Sequence, residues 1–553
     1  MSRTRFHFWL GTAVAWFATA QLLFVFGVPF HADEFQGAHA AYRLIREMPY
    51  RDFLPYKTVL GYAFQLPTLL LAGPGWAGLT AVRLQNVLIN AAAVSALGLI
   101  LARWYRREAV ALSVVLLVFM STFLDYAFEI RLDMLTGWLG AGALLLLLAR
   151  RPGWAGGVAG LAFLVSQKAA FYLTAGAAAL AVCALLPGRT AGRWLPVVRF
   201  VAGAVVVIGV YLAGWIAVAG MDRVLFITFP AAAEIAGRSV YDGIRLRWVR
   251  TAIRNPVFYG LALIGLAHFA VRSWRSMAGR SAQSPEDIYR GTILSVFCAS
   301  VLGQMAVYPQ SWSYFFLLVI PALTIMIAAF MSERLPTSAG TLGLSAPTLL
   351  AFIVGGVLYP SIYVIAGIHG DRPAQRAAYE AGIHALREGG SYWAGSNVYA
   401  NQAQPSGLEW LDLYNLERLH SLPRGEKVAL IQSLSAAPPA VIIDNYRLKA
   451  LPYEFRAFID DNYKSLHGTV LTYVVHVPAG TNVLDPPLEG RFRNIGERSL
   501  RIGDVGVGPG ALVRLAGSVR VEAPDAGGLQ FVGGFDGPMT GAMSPGGEFF
   551  GFR

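Results

Sequence analysis

The stretch His31-Ala32-Asp33-Glu34 closes the first long apolar run of the chain, and the rest is read from it. Residues 8–30 carry no charged side chain. A helix of about 23 residues, rising about 1.5 Å each, crosses a hydrocarbon core of about 30 Å. Two adjacent carboxylates therefore stand just past the outer end of a first membrane span. Behind them Phe35, Ala38, Tyr42 and Ile45 recur at helical spacing, with Gln36, Arg43 and Glu47 turned away. This is the pattern of a helix lying in the membrane interface. Tyr50-Arg51-Asp52-Phe53-Leu54-Pro55-Tyr56-Lys57 then brings cations back beside the acids. Acids at a helix start also serve as simple caps that complement the helix dipole. The charged residues at later span ends favour chemistry over capping.

The composition places most of the chain in a bilayer. Of its 553 residues, 55% are hydrophobic and 14% charged, where soluble domains carry about a quarter charged; mean hydropathy is +0.50. A formal charge of +12 fits orientation by arginines and contact with anionic headgroups. No nucleic acid partner is expected, because no separate basic soluble module is present. Cys183 and Cys298 both fall in apolar runs, which argues against a disulfide-stapled scaffold. Met1-Ser2-Arg3-Thr4-Arg5 resembles the basic start of a signal peptide. The run behind it is too long for a typical h-region, so an uncleaved first span is expected.

Hydropathy predicts about eleven transmembrane helices. Their ranges are residues 8–30, 81–102, 110–126, 134–148, 154–165, 169–186, 201–219, 257–271, 291–307, 312–331 and 344–368. Turns assigned inside hold Arg103, Arg106, Arg107, Arg150, Arg151, Arg189, Arg193, Arg199, Arg272, Arg275, Arg280 and Arg334, as the positive-inside rule requires. Residues 221–255 break the rule: assigned outside, they hold Arg223, Arg238, Arg245, Arg247, Arg250 and Arg254. A different span count, an amphipathic helix on headgroups, and a docking site for a polyanion all fit. Guanidinium forks suit phosphate oxygens.

The long apolar runs stop near Gly370. Residues 371–388 and 454–463 have helical patterns, and 440–444 and 469–477 strand patterns, so an α/β unit is expected. Beyond Pro486, short strands at 499–502 and 511–521 alternate with glycine-rich turns. The expected organisation is a transmembrane domain at 1–368, an outer-face α/β domain at 369–482, and a β-rich module or tail at 483–553.

Polar residues gather at the outer span ends: Asp33, Glu34 and Lys57, then Glu129, Arg131 and Asp133, then Lys168. Charges at membrane depth are costly and mark function. A reaction with a lipid phosphate as leaving group needs this set. A carboxylate takes the proton of the attacking group, and cations stabilise the growing phosphate charge.

The order of these residues resembles the GT-C class of polyprenyl-phosphate-sugar-dependent glycosyltransferases, near the protein O-mannosyltransferases and the lipid A aminoarabinose transferase. Asp33-Glu34 matches their Asp-Glu pair after the first span, and Pro55-Tyr56-Lys57-Thr58 stands in place of their Lys-Pro-Pro segment. Arg83-Leu84, Arg131-Leu132-Asp133, Gly156-Gly157 through Lys168, and Tyr314 with Pro321 come next in the family's order. Tyr56 stands where the aminoarabinose transferase has a Glu tied to a metal site, and Gln36-Gly37 where it has Arg-Tyr.

The resemblance implies an α-helical multi-pass enzyme of the inner (plasma) membrane with its site and C-terminal unit facing the periplasm or outside. It would move a sugar, with inversion, from a polyprenyl-phosphate donor to lipopolysaccharide, another envelope glycan or protein. It implies Asp33 as general base with Asp133 and Glu34 assisting. Lys57, Arg131, Lys168, Arg238 and Arg245 would hold the phosphate. A divalent metal is left open, with His31, Glu34 and Asp133 as its candidate ligands. The alternatives are a lipid-linked-glycan transporter or ligase and a non-catalytic scaffold. A transporter would show broken polar helices near the midplane, whereas the charges here lie at outer ends.

The odd span count predicts that residues after 368 face outward. A single cysteine at Ser433, in a chain lacking Cys183 and Cys298, is expected to react with an impermeant maleimide in intact spheroplasts. Labelling only after lysis would overturn this topology.

Overall fold

Uninterrupted apolar sequence demands helices, because in hydrocarbon every backbone N–H and C=O must be satisfied within its own segment. The computed structural model describes residues 1–185, 193–237, 244–278, 284–309, 312–335, 346–367, 372–400, 402–537 and 549–550. Arg189, Arg238, Arg280 and Gln310 lie outside the described residues. The chain forms two compact units, one of Met1–Phe26, Ala40–Gly73 and Thr80–His369, the other of Gly27–His39, Pro74–Leu79 and Gly370–Arg553.

The first unit is helical. α1 (Arg3–Gly27) ends before α2 (Ala32–Arg43), whose first turn holds Asp33 and Glu34. α3 (Leu60–Ala72) is a short apolar helix carrying Pro67, absent from the spans expected. α4 (Trp76–Leu101) is followed by α5 (Arg107–Val118) and α6 (Ser121–Tyr126). These two replace the single expected helix at 110–126, because the backbone turns extended at Met120. The N–H of Ser121, freed by that break, donates to Asn255 Oδ1 at 2.8 Å, and Gln21 Nε2 donates to the Leu124 carbonyl at 2.8 Å. Side chains thus satisfy a broken helix where water is scarce.

α7 (Asp133–Leu148), α8 (Pro152–Val165), α9 (Ala170–Leu185) and α10 (Leu195–Ala219) form the tightest bundle. Gly156 of α8 faces the backbone of α10: a Cβ there would lie 1.8 Å from the Phe200 carbonyl oxygen. Reciprocally, a Cβ on Gly203 would lie 2.0 Å from the Gly153 oxygen. Small residues are what allow membrane helices to approach backbone to backbone, since dispersion rather than hydrophobicity drives their association.

The arginine-rich segment expected as one loop folds as α11 (Met221–Thr228), α12 (Pro230–Gly237) and α13 (Ile244–Arg254). α14 (Pro256–Met277) and α15 (Pro285–Val307) come next. A 3₁₀ segment, Ser313–Leu318, precedes α16 (Ile320–Arg334), so the expected helix at 312–331 begins late. Ala346–Gly367 is helical, with a π turn at Val354–Leu358. Among the described residues, six helices are long and apolar enough to cross a membrane, with shorter apolar helices beside them.

The second unit is mixed. α17 (Arg372–Ala385), α18 (Leu413–Ser421), α19 (Arg424–Ala436), α20 (Tyr446–Lys449) and α21 (Tyr453–Asn462) accompany two sheets. β1 (Tyr392–Trp393) pairs in parallel with β2 (Val441–Ile443), and every other pairing is antiparallel. β3 (Tyr463–His467) and β4 (Val470–Val477) complete the α/β part, whose core gathers Trp393, Leu411, Ile442, Leu448, Phe455 and Ile459.

Residues beyond 483 extend that sheet and also build a second one. Of β5 (Gly480–Leu484), β6 (Gly490–Asn494), β7 (Leu500–Ile502), β8 (Val505–Val507), β9 (Leu512–Leu515), β10 (Val519–Ala523) and β11 (Gly527–Phe531), the last pairs with both β4 and β6. The larger sheet, of seven strands, runs β1-β2-β4-β11-β6-β9 with β3 also on β4; β5-β10-β7-β8 is the smaller. The strand expected at 511–521 is split at Gly517, whose φ of +64° lets the chain leave one sheet for the other.

Gly156→Ala is expected to lower stability by about 2 kcal/mol through overpacking. Gly209→Ala, on the same bundle but with nothing within 4 Å of its Cβ, is expected to leave it nearly unchanged. Thermal unfolding of the detergent-purified chain compares them.

Candidate functional site

Asp133 opens α7 and is buried; the loop before it is clamped from α4. Asn90 Nδ2 donates to the Ala127 carbonyl at 2.8 Å and Asn86 Nδ2 to the Glu129 carbonyl at 2.6 Å. Buried Arg83 lies over the Phe128 ring at 4.9 Å. Trp138 Nε1 orients Asn90 through its Oδ1 at 2.9 Å. These polar-to-backbone and stacking contacts set where Glu129, Arg131 and Asp133 point.

Lys168 comes from the turn between α8 and α9. α8 ends at Val165, Ser166 turns extended, and Gln167–Ala169 makes one 3₁₀ turn. Lys168 Nζ reaches Asp133 Oδ1 at 2.6 Å. Arg131 Nε bonds Glu129 Oε2 at 2.5 Å. The structure joins Asp133 to Lys168 across helices and gives Arg131 to Glu129.

The 3₁₀ segment supplies the floor. Gly137 has no room for a Cβ, which would lie 2.2 Å from the Leu317 oxygen, so this segment lies against α7. Tyr172 of α9 donates to the Leu318 carbonyl at 2.6 Å. Tyr314 then sits with its ring 3.9 Å from the Arg131 guanidinium carbon and 5.0 Å from Lys168 Nζ. Phe315 lies 3.6 Å from the same ammonium. Aromatic faces hold both cations without neutralising them. Outside this floor Arg247 stacks on Trp312 at 4.1 Å, and Trp248 meets Phe316 at 4.8 Å. Arg245 belongs to α13.

Lys57 comes with the loop before α3. A Cβ on Gly61 would lie 2.6 Å from Leu132 Cδ1 and 2.8 Å from the Val165 oxygen, so α3 begins against both flanks of the Asp133–Lys168 pair. Tyr211 of α10 accepts from Val59 N at 3.0 Å and meets the Tyr50 hydroxyl at 2.7 Å. Arg223 donates to the Arg51 carbonyl at 2.7 Å. Lys57 adds to the positive field at Asp133. Among the described residues it forms no ion pair of its own.

Asp33 and Glu34 belong to the second unit. Glu34 is buried and its Oε1 accepts from His31 N at 3.0 Å, the capping role. The Asp33 side chain is 43% exposed and its Oδ1 lies 3.7 Å from Arg447 Nη2. Among the described residues no group of three or more His, Cys, Asp or Glu side chains is placed to hold a metal ion.

Sequence reasoning named Asp133, Lys168, Arg131 and Lys57, which the first unit gathers, but passed over Asn86, Asn90 and Arg447. The first two had a signal: with Arg83 they make a polar stripe at positions 83, 86 and 90 of an otherwise apolar helix. Arg447 had none.

No protein-family model and no curated protein matches the chain. Solved structures do show similarity. The archaeal oligosaccharyltransferase AglB from Archaeoglobus fulgidus, in complex with an inhibitory peptide and a dolichol-phosphate, is 11% identical over 77% of this chain and 60% of its own, with a TM-score of 0.43. ArnT from Cupriavidus metallidurans bound to undecaprenyl phosphate is 16% identical over 68% of this chain and 70% of its own, with a TM-score of 0.44. The arabinosyltransferase EmbB from Mycobacterium smegmatis is 13% identical over 96% of this chain and 62% of its own, with a TM-score of 0.38. All three are glycosyltransferases of the GT-C class whose motifs the sequence resembles.

Removing one member of a buried ion pair leaves the other charge uncompensated, a loss of about 3–5 kcal/mol. Asp133→Asn is expected to destabilise the purified chain by that order, and Lys168→Met in the same chain to recover most of it. Thermal unfolding of the two single variants and the double variant measures this coupling.

Proposed function

We propose that the chain is an integral membrane glycosyltransferase that takes a sugar from a polyprenyl-phosphate donor on the outer, periplasmic face. The observation that carries the proposal is the charge arrangement of the first unit. Arg131 and Lys168 are paired with Glu129 and Asp133, while Lys57 beside them has no ion-pair partner among the described residues. A cluster that ends with surplus positive charge at helix ends suits an anionic headgroup presented by a lipid.

In the proposed reaction the acceptor oxygen or nitrogen attacks the anomeric carbon from the side opposite the phosphate, inverting it. The carbon–oxygen bond to phosphate breaks, and polyprenyl phosphate leaves with its electron pair. The acceptor proton passes to the Asp33 carboxylate. Charge on the phosphate grows as the sugar departs, so Lys57, Lys168 and Arg131 stabilise the transition state more than the bound donor. Arg238 and Arg245 are assigned by sequence alone to the same lipid phosphate. Asp133 keeps Lys168 directed, and Glu34 holds the turn that carries Asp33. Lipopolysaccharide, another envelope glycan or protein is the acceptor class.

Purified full-length chain tests this, with undecaprenyl phosphate as binding probe and undecaprenyl-phosphate-linked hexoses and pentoses as donors. Acceptor is supplied as membrane extract. Lys57→Ala is expected to weaken undecaprenyl phosphate binding about ten- to a hundredfold, as loss of a charged contact does; Lys57→Arg should retain more. Asp33→Asn should slow release of undecaprenyl phosphate by about 10²–10⁴ without weakening its binding. A folded Asp33→Asn chain with undiminished transfer would end the mechanism.

A further inference from the structure

Arg447 is 6% exposed and sits in α20, a single turn of the second unit. Its Nη1 donates to the Gly395 carbonyl at 3.1 Å and its Nε to the Tyr446 hydroxyl at 3.2 Å. One face of the guanidinium lies 4.1 Å from the Trp410 ring, and its backbone N donates to Asn445 Oδ1 at 2.9 Å. These contacts fix the plane of the group and leave Nη2 directed at Asp33 Oδ1, 3.7 Å away.

The other end of the pair is fastened to the same unit. Ser396 Oγ donates to the Ala32 carbonyl at 3.3 Å, and Asn397 Nδ2 to Gln36 Oε1 at 2.5 Å. The Phe30 backbone exchanges hydrogen bonds with Gln375 at 2.7 and 2.9 Å. Phe35 packs among Tyr379, Phe549 and Phe550. Arg447 and Asp33 are thus held at ion-pair distance by one stretch, Gly395-Ser396-Asn397, together with Tyr446, Trp410 and Gln375, while the carboxylate keeps 43% of its side chain open.

We propose that Arg447 is the positioning residue of Asp33: a guanidinium, itself locked by Gly395, Tyr446 and Trp410, aims the carboxylate and keeps it ionised for the acceptor. The inference rests on the reading of Asp33 as general base. Its chemistry is that of charge. A fixed cation beside a carboxylate favours its ionised form and stops it rotating onto a neighbouring donor. The other titratable groups around this turn are His31, Glu34 and His39 on the same segment, and Arg372 and Tyr379 on α17. Arg372 stacks over Phe30 and Trp76 at 4.9 and 5.5 Å, and Tyr379 meets Phe35 at 6.2 Å.

The test uses the full chain and release of undecaprenyl phosphate from its linked hexoses and pentoses, with membrane extract as acceptor. Arg447→Met keeps the stem on Trp410 and removes the charge. It is expected to lower kcat about ten- to a hundredfold through misplacement of the base. Undecaprenyl phosphate binding should be unchanged, and the acidic limb of the pH–rate profile should move up by about one unit. Arg447→Lys should return the limb to its wild-type place and restore part of kcat. In an Asp33→Asn chain, Arg447→Met should cost nothing further.

Three results would overturn the proposal while leaving the base reading intact. The first is Arg447→Met with wild-type kcat and an unmoved limb. The second is equal loss in Arg447→Met and Arg447→Lys with the limb in place, the mark of a structural role. The third is an undiminished Arg447→Met effect in the Asp33→Asn chain. Full activity of Asp33→Asn alone would remove both the base and its positioning residue.

Discussion

An ammonium and a carboxylate 2.6 Å apart, both withdrawn from water, are the interaction on which the first unit's site depends. Taking either ion out of water alone is unfavourable by several kcal/mol, and only the pairing makes it tolerable. Asp133 opens α7 and Lys168 follows α8, two helices packed side by side, so both must be seated before the pair can close. This explains why close backbone approaches recur here. Leu317 lies against Gly137, Leu132 and Val165 against Gly61, and Phe200 against Gly156.

Around that pair the polar residues divide into those that hold backbone and those that pair charge with charge. Asn86, Asn90 and Asn255 satisfy groups freed where helices break or end. In a bilayer such groups have no water to fall back on, so irregular backbone near a site requires amide side chains in apolar helices. Arg131 and Lys168 lie against the Tyr314 and Phe315 rings. An aromatic floor keeps both cations in place while Glu129 and Asp133 pair with them. The helices α11 to α13 extend the arrangement: Arg223 braces the loop before Lys57, and Arg247 stacks on Trp312 next to the floor.

In the second unit the paired acids after α1 have separate duties. Glu34 accepts from the backbone N–H of His31, as a cap. Asp33, one position earlier, turns about 100° around the helix and faces Arg447 instead. In the same unit β11 lies between β4 and β6 and joins two stretches of sequence in one sheet.

Read alone, the sequence determined the class of protein, the positions of most apolar helices, and which charged residues stand at helix ends in the first unit. These are local properties. Hydrophobic length sets a span, and a charge at a span end is costly enough to be informative wherever it occurs. It also placed the acids Asp33, Glu34 and Asp133 at the ends of apolar helices. It did not tell which cation each would meet. Pairing of Asp133 with Lys168 rather than Arg131, the aromatic floor under the cations, and the Arg447 partner of Asp33 were decided by tertiary structure alone. An ion pair depends on a distance of a few ångströms between residues far apart in the chain. Nothing in local periodicity encodes that distance; it is set by how closely glycine-lined helices pack and by how the sheet closes.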